Sequence, residues 1–213
     1  MLGRGRIEPA ERADLEGRVR DAATRGDISA GVTMTIEGYG PELLGFLLAV
    51  HANEADANDA FSELTEGIWL GLATFAWEST HRTWVYAIAR NVMRANKRKA
   101  ARRERRVTPA SGSAIDAVAA KVRTETLTFL KTEKRTKVQA LRDALPEEDR
   151  ILLVLRVDRG LAWDELARVM TEEGPGVTLE AAAVTRESAR LRKRFQLVKE
   201  RLREQAKREG LLE

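Results

Sequence analysis

The 213-residue sequence predicts an all-α protein. Apolar residues recur at three- and four-residue spacing nearly from end to end, and no run of alternating β-branched and aromatic residues is bounded by hairpin turns. Helix punctuation agrees, with proline near a predicted start (Pro146) and glycine at a predicted end (Gly160). A composition of 43% hydrophobic and 33% charged residues is that of a folded chain. The absence of cysteine excludes a disulfide framework, thiolate zinc sites and cysteine nucleophiles, and it fits a reducing compartment. No apolar run approaches the roughly 20 residues that span a bilayer, and the opening MLGRGRIEPAERADLEGRVR lacks the apolar core of a secretion signal. The expectation is a cytoplasmic chain with no membrane partner.

Residues 1–34 read as a polar helical extension, interrupted at Gly26 and Gly31, to which the sequence assigns no role. A first domain is expected over residues 35–106. It opens with a helix after Pro41 (Leu43, Leu44, Leu47, Leu48), and a second helix from about Ala55 places Phe61, Leu64, Ile68 and Leu72 on one stripe, with Asp59, Glu63 and Glu66 off it. From Phe75 to Arg106 runs a basic helical stretch in which Trp84, Ile88 and Val92 keep one face, while Arg90, Arg94, Lys97, Arg98 and Lys99 lie largely elsewhere. Residues 107–136 contain TPASGS and few apolar anchors, the composition of a flexible, partly helical linker.

A second domain is expected over 137–213. In LPEEDRILLVLRVDRG, Pro146 suits a first turn, the acids that follow suit the helix dipole, and Gly160 suits the end. A short helix in LAWDELARVM puts Trp163, Leu166, Ala167 and Met170 on one face. After a loop through Gly174, Pro175 and Gly176, the last helix carries Leu191, Phe195, Val198 and Leu202 as its apolar seam. Two helices, a break and a basic third helix form a helix-turn-helix candidate.

The net charge is only +4, but its distribution is uneven. Residues 90–106 hold nine Lys or Arg against one acid, and residues 186–208 hold ten against three. Two basic clusters on helices point to two contacts with a polyanion, although either cluster alone also reads as a solvated helix face. No catalytic constellation emerges. His51 and His81 lack metal-ligand spacing and read as surface or loop residues, so neither a metal nor a cofactor is expected. No phosphate loop, nucleophile elbow or dinucleotide fingerprint is present, and the adjacent acids Glu147-Glu148 and Glu172-Glu173 read as solvated turns.

Five ordered blocks resemble the extracytoplasmic-function (group 4) sigma factors of bacterial RNA polymerase, within the sigma-70 family. They are YGPELL from Tyr39, EADANDA from Glu54, RTWVYAIARN from Arg82, the stretch from Leu141 to Glu148, and LAWDELA from Leu161. The resemblance implies a non-enzymatic protein with a region 2-like bundle at 35–106 and a region 4-like helix-turn-helix domain at 137–213. It implies binding to core RNA polymerase and to promoter DNA, promoter opening, and an anti-sigma factor as a further candidate partner.

By this resemblance the second helix of the first domain docks on polymerase through Asp59, Glu63, Glu66 and Trp69, residues that otherwise read as a solvated acidic face. Downstream promoter contacts fall to Glu78, Ser79, His81, Arg90, Asn91, Arg94, Lys97 and Arg98; a base taken out of the stack needs a shaped pocket with polar groups, and the cations hold phosphate. Upstream contacts fall to Thr185, as N-cap, and to Arg186, Ser188, Arg190, Lys193 and Arg194. Trp84 is assigned to the core by its phase with Ile88 and Val92. The segment Thr171–Val184 is longer than the tight turn usual in the family, which leaves the start of the recognition helix open by about one turn. Two other readings compete: a stand-alone helix-turn-helix regulator, and a helical adaptor or anti-sigma-type interaction protein. A free protein that folds its domains together would hide both basic surfaces until polymerase binds.

Overall fold

The computed structural model describes residues 7–51, 53–102, 113–131, 137–171 and 177–212, and among these every regular element is helical. The sequence-predicted all-α class is therefore what is found. Helix α1 spans Pro9–Thr24, and α2 spans Ile28–Val50. Gly26 separates them at φ +77°, a conformation that costs glycine nothing. Gly31 makes no break. Asp27 starts α2 by accepting the Ala30 N–H at 3.0 Å, and the helix then runs through Gly31 and Pro41 instead of beginning after the proline. Gly31 is there for space: a Cβ would lie 2.7 Å from a Leu72 methyl.

Helix α3 (Glu54–Leu72) is capped by Asn53, which accepts the Asp56 N–H at 2.8 Å. Its predicted stripe of Phe61, Leu64, Ile68 and Leu72 is buried to the last residue. Gly67 and Gly71, one turn apart on α3, open a groove for the next helix, α4 (His81–Arg102). A Cβ at either would come within 2.7 Å of Ile88 or 2.9 Å of the Trp84 indole. Trp84 is buried, as its phase predicts, while Val92 is only half-buried and Met93 takes the core position beside it.

The segment expected as a flexible linker contains α5 (Ser113–Lys131), which packs on α2 and α3. Ile115, Ala119 and Val122, at i, i+4 and i+7, are buried, and the Val122 methyl group lies 3.0 Å from where a Cβ on Gly40 would stand. The helix fits the partly helical part of that expectation; its docking on the bundle does not show in the composition, because Ile115, Ala119 and Val122 suffice against a groove floored by Gly40. Residues 103–112 and 132–136 lie outside the described residues.

In the C-terminal half, α6 (Lys137–Asp143) precedes α7 (Glu147–Leu153), which begins after Pro146 and continues as a π-helical turn over Val154–Asp158. Gly160 ends it at φ +68°. Helix α8 (Trp163–Met170) follows, and α9 spans Ala181–Arg208. Where Ala162 offers no side-chain acceptor at the start of α8, the Glu165 carboxylate reaches back to the Ala162 N–H at 2.7 Å. Asp149 of α7, buried, accepts Arg194 at 2.7 Å and Arg201 at 2.8 Å, which fixes α9 across α7. Ile151, Leu155, Leu166 and Leu191 join the same continuous core as α2, α3 and α4, so the two halves lie against each other.

The strongest polar tie in this core is Arg82 with Glu42, paired at 2.7 and 3.2 Å with side chains about as buried as the leucines around them. Burial works against the Arg82 charge, yet the hydrogen bonds and charge of Glu42 outweigh it and hold the guanidinium above its ordinary pKa. Arg82→Met leaves the Glu42 carboxylate buried alone and should lower unfolding free energy by about 3–5 kcal/mol in urea titrations. Arg82→Met with Glu42→Leu should recover most of that loss; an equal or larger loss in the double variant would show that the pair stabilises more than its own charges.

Candidate nucleic-acid interface

The site begins at the N-terminus of α4. From His81 to Arg90 every residue of this helix is buried, because α1, α2, α3 and the C-terminal half surround it. His81, read from sequence as a surface or loop residue and as a DNA contact, has no exposed area. Thr35 Oγ1 donates to the Gly31 carbonyl at 2.8 Å, so the 2.9 Å contact with His81 is a donation from the imidazole Nε2, and Nδ1 faces the surrounding rings. Those rings are Tyr39, Phe75, Trp77 and Trp84, with centroids 5.3–6.2 Å away. Burial pushes the His81 pKa down to about 3. His81 is a neutral core residue and offers no edge to DNA.

The cations of α4 separate by position. Arg90 turns into the C-terminal half, donating to Glu148 at 3.0 and 3.2 Å and to the Thr171 carbonyl at 2.9 Å. Lys97, whose side chain is 70% exposed, pairs with Glu147 at 3.4 Å. Glu147 and Glu148 are therefore partners of α4 and not solvated turns, while Glu172 and Glu173 lie outside the described residues. Asn91 and Arg98 are exposed and Arg94 is half-buried. In the loop before α4, Glu78 is exposed and accepts from Thr178, and Ser79 is half-buried. Thr83 donates to Glu165 at 3.2 Å, and Arg82 donates to the Arg159 carbonyl at 3.0 Å. The structure thus assembles Glu78, Arg90 and Lys97 on one seam, but that seam is filled by the C-terminal half.

On α3, Asp59 is exposed and Glu63, Glu66 and Trp69 are half-buried, all away from the buried stripe. Leu70 is 68% exposed beside them and completes an outward row, Asp59, Glu63, Glu66 and Leu70, at four-, three- and four-residue spacing. Leu70 was not singled out from sequence, although its phase, two residues past Ile68, sets it off the buried stripe.

On α9 the predicted cap moves. The helix starts at Ala181 after Glu180, one turn before Thr185, and Thr185 donates to the Ala181 carbonyl from within the helix. Thr185 is therefore not the N-cap. Ser188 is buried and donates to the Trp163 carbonyl at 3.0 Å, joining α8 to α9, so it is withdrawn from the DNA-facing set. Arg194 is committed to Asp149. Thr185, Arg186, Arg190 and Lys193 remain exposed on the outer face, Arg190 in a bidentate pair with Glu187 at 2.6 and 2.8 Å. Trp163 supports the inner face between Arg156 and Arg192, with guanidinium carbons 4.7 and 5.6 Å from its ring.

Because folded His81 binds a proton far more weakly than an unfolded histidine, unfolding takes up a proton below about pH 6.5. Stability should be full above that value and fall as pH drops, by up to about 1.4 kcal/mol per unit, with His51 adding in the same direction because burial lowers its pKa too. Urea unfolding between pH 7.5 and about 5 measures the slope. His81→Gln should remove about one proton from it, whereas an unchanged slope would place the titration elsewhere.

Among the described residues no helix is long and apolar enough to cross a membrane. No curated protein matches the chain. Residues 35–103, which take in most of α2, all of α3 and all of α4, match the family model of Sigma-70 region 2. That match marks the segment as similar to sigma-70 region 2 and, with the all-α fold around it, supports a sigma-70-type factor acting in transcription initiation, a class of proteins that are not enzymes.

Proposed function

We propose that this chain is a sigma factor of the extracytoplasmic-function type, which binds core RNA polymerase, directs it to promoters with paired upstream and downstream elements, and helps open the duplex. The match of residues 35–103 to Sigma-70 region 2 carries the reading, because it falls on the helices whose exposed faces bear the candidate contacts. The row Asp59, Glu63, Glu66 and Leu70, with Trp69 at its edge, is the docking surface for polymerase: carboxylates around an exposed leucine suit a salt-sensitive interface with an apolar centre. Asn91, Arg94, Lys97 and Arg98 of α4, with Glu78 and Ser79 before it, face the downstream element, and Arg90 joins them when it leaves Glu148. Thr185, Arg186, Arg190 and Lys193 of α9 face the upstream element, where a helix in the major groove pairs arginine with guanine. Residues 35–106 and 137–213 serve as the two promoter-binding units, and the site of action is the cytoplasm, with an anti-sigma factor as a further partner.

In the free chain the seam between the halves keeps α4 from DNA. Glu147 and Glu148 hold Lys97 and Arg90 as DNA phosphates would, and they stand in the first turn of α7, where the helix dipole favours them. Opening on polymerase exchanges carboxylate partners for phosphate ones.

Run-off transcription with bacterial core polymerase and genomic fragments tests the function. New transcripts with paired elements are expected only when the protein is present, and Arg186→Ala with Lys193→Ala should reduce them about tenfold or more through the upstream element alone. DNA binding that needs no polymerase, with no transcripts, would instead favour the stand-alone regulator. Because the chain has no cysteine, Ala55→Cys with Gln196→Cys gives two clean spin-label sites. Pulsed distance measurements should show one short distance in the free chain and a longer one on polymerase; equal distances would remove the closed state.

A further inference from the structure

The N-terminal helix α1 carries no assignment from sequence, yet it touches the reading loop at two points. The helix start at His81 leaves backbone N–H groups without intrahelical partners. Thr80 takes the Thr83 N–H at 3.1 Å. The N–H groups of His81 and Arg82 are taken by the Glu16 carboxylate, at 3.2 and 3.0 Å, from a residue 65 positions earlier in the chain. Glu16 also accepts the Tyr39 hydroxyl at 2.9 Å. One turn further along α1, the Arg20 guanidinium lies over the Trp77 indole at 5.5 Å.

Trp77 is in the left-handed region at φ +60°, which a bulky side chain adopts only when its surroundings impose it. Its indole stacks on His81 at 5.6 Å and leans on Phe75 at 4.7 Å, so Arg20 closes the free side of this aromatic group. The adjoining face of α1 is anchored: Leu15, Val19 and Ala22 are buried, and Leu15 occupies the space a Cβ on Gly38 would need. Glu16 and Arg20 are therefore presented from a fixed helix. Between the two points they hold lie Glu78 and Ser79.

We propose that α1 braces the loop that reads the downstream promoter element, with Glu16 and Arg20 as positioning residues that set its shape without touching DNA. This rests on the sigma-factor reading of residues 78–98. Glu16 fixes the direction of the first turn of α4, and Arg20 fixes the strained turn at Trp77. Without both, the N–H groups of His81 and Arg82 lose their acceptor, Trp77 relaxes toward ordinary backbone angles, and Glu78 and Ser79 shift with it.

The test compares full-length wild type, Glu16→Ala, Glu16→Gln and Arg20→Ala. With core polymerase, permanganate reactivity measures opening on a promoter found by run-off and on templates with one base changed in the downstream element. The expected result is a fall of about tenfold in discrimination between those templates for Glu16→Ala and a smaller fall for Arg20→Ala, with affinity for core polymerase unchanged. Glu16→Gln keeps one oxygen, which can serve the Arg82 N–H and the Tyr39 hydroxyl but not also the His81 N–H, and should retain part of the discrimination. A role in overall stability would lower opening on all templates alike and leave the ratio where it was, which would overturn the proposal. If wild type opens no promoter, the sigma-factor reading fails separately. Amide exchange in the free chain then judges the brace alone: protection across residues 77–83 should fall about tenfold in Glu16→Ala, and unchanged protection overturns it.

Discussion

Arg82 is the residue on which the arrangement of this molecule turns. Its guanidinium pairs with Glu42 of α2, donates to the Arg159 carbonyl in the C-terminal half, and lies 5.2 Å from the Tyr86 ring. Its backbone N–H is held by Glu16 of α1. A single residue at the start of α4 thus meets the N-terminal helix, the first bundle and the second half of the chain. A charge buried this deeply is tolerable only when it is paired and hydrogen-bonded, so these contacts specify one arrangement of the elements more than they add net stability.

The consequence is a helix divided along its length. Up to Arg90 α4 is an interior helix packed on all sides, and from Arg94 to Arg98 it turns cationic and increasingly open. Arg90 stands at the boundary, nearly buried yet held by a carboxylate that is itself one-third exposed. Such a pair is cheaper to open than Arg82–Glu42, because water reaches one partner as the seam parts. The same geometry that silences the basic face in the free chain therefore leaves it exchangeable, with phosphate as a replacement of like charge and hydrogen-bonding capacity.

Helix α9 shows the same economy with cations. Arg194 and Arg201 share the Asp149 carboxylate and hold the helix in place, while Arg186 and Lys193, on the outer face, are not drawn into that network. Cations of one residue type on one helix serve as structure or as surface according to whether α7 lies beneath them. Trp163, clasped by Arg156 and Arg192, meets Phe195 of α9 edge-on at 5.7 Å and so joins α8 to α9.

The sequence by itself determined what depends on local pattern: the all-α class, the apolar stripe of α3, the place of Trp84 in the core, the end at Gly160 and the seam of α9 through Leu191 and Val198. Periodicity carries these because each follows from which side of a helix is apolar. Only the tertiary structure decided that α2 runs through Gly31 and Pro41, that the helix in the expected linker packs on α2 and α3, that His81 is a core residue, and that Thr185 lies a turn inside its helix. The pairings of Glu16, Glu147, Glu148 and Asp149 belong to the same group. A glycine that ends a helix and one that admits a neighbour have the same letter, and a carboxylate bound for water looks the same in sequence as one bound for an arginine in another helix. What separates them is a partner tens of residues away in the chain, brought into contact only by the packing of the helices between.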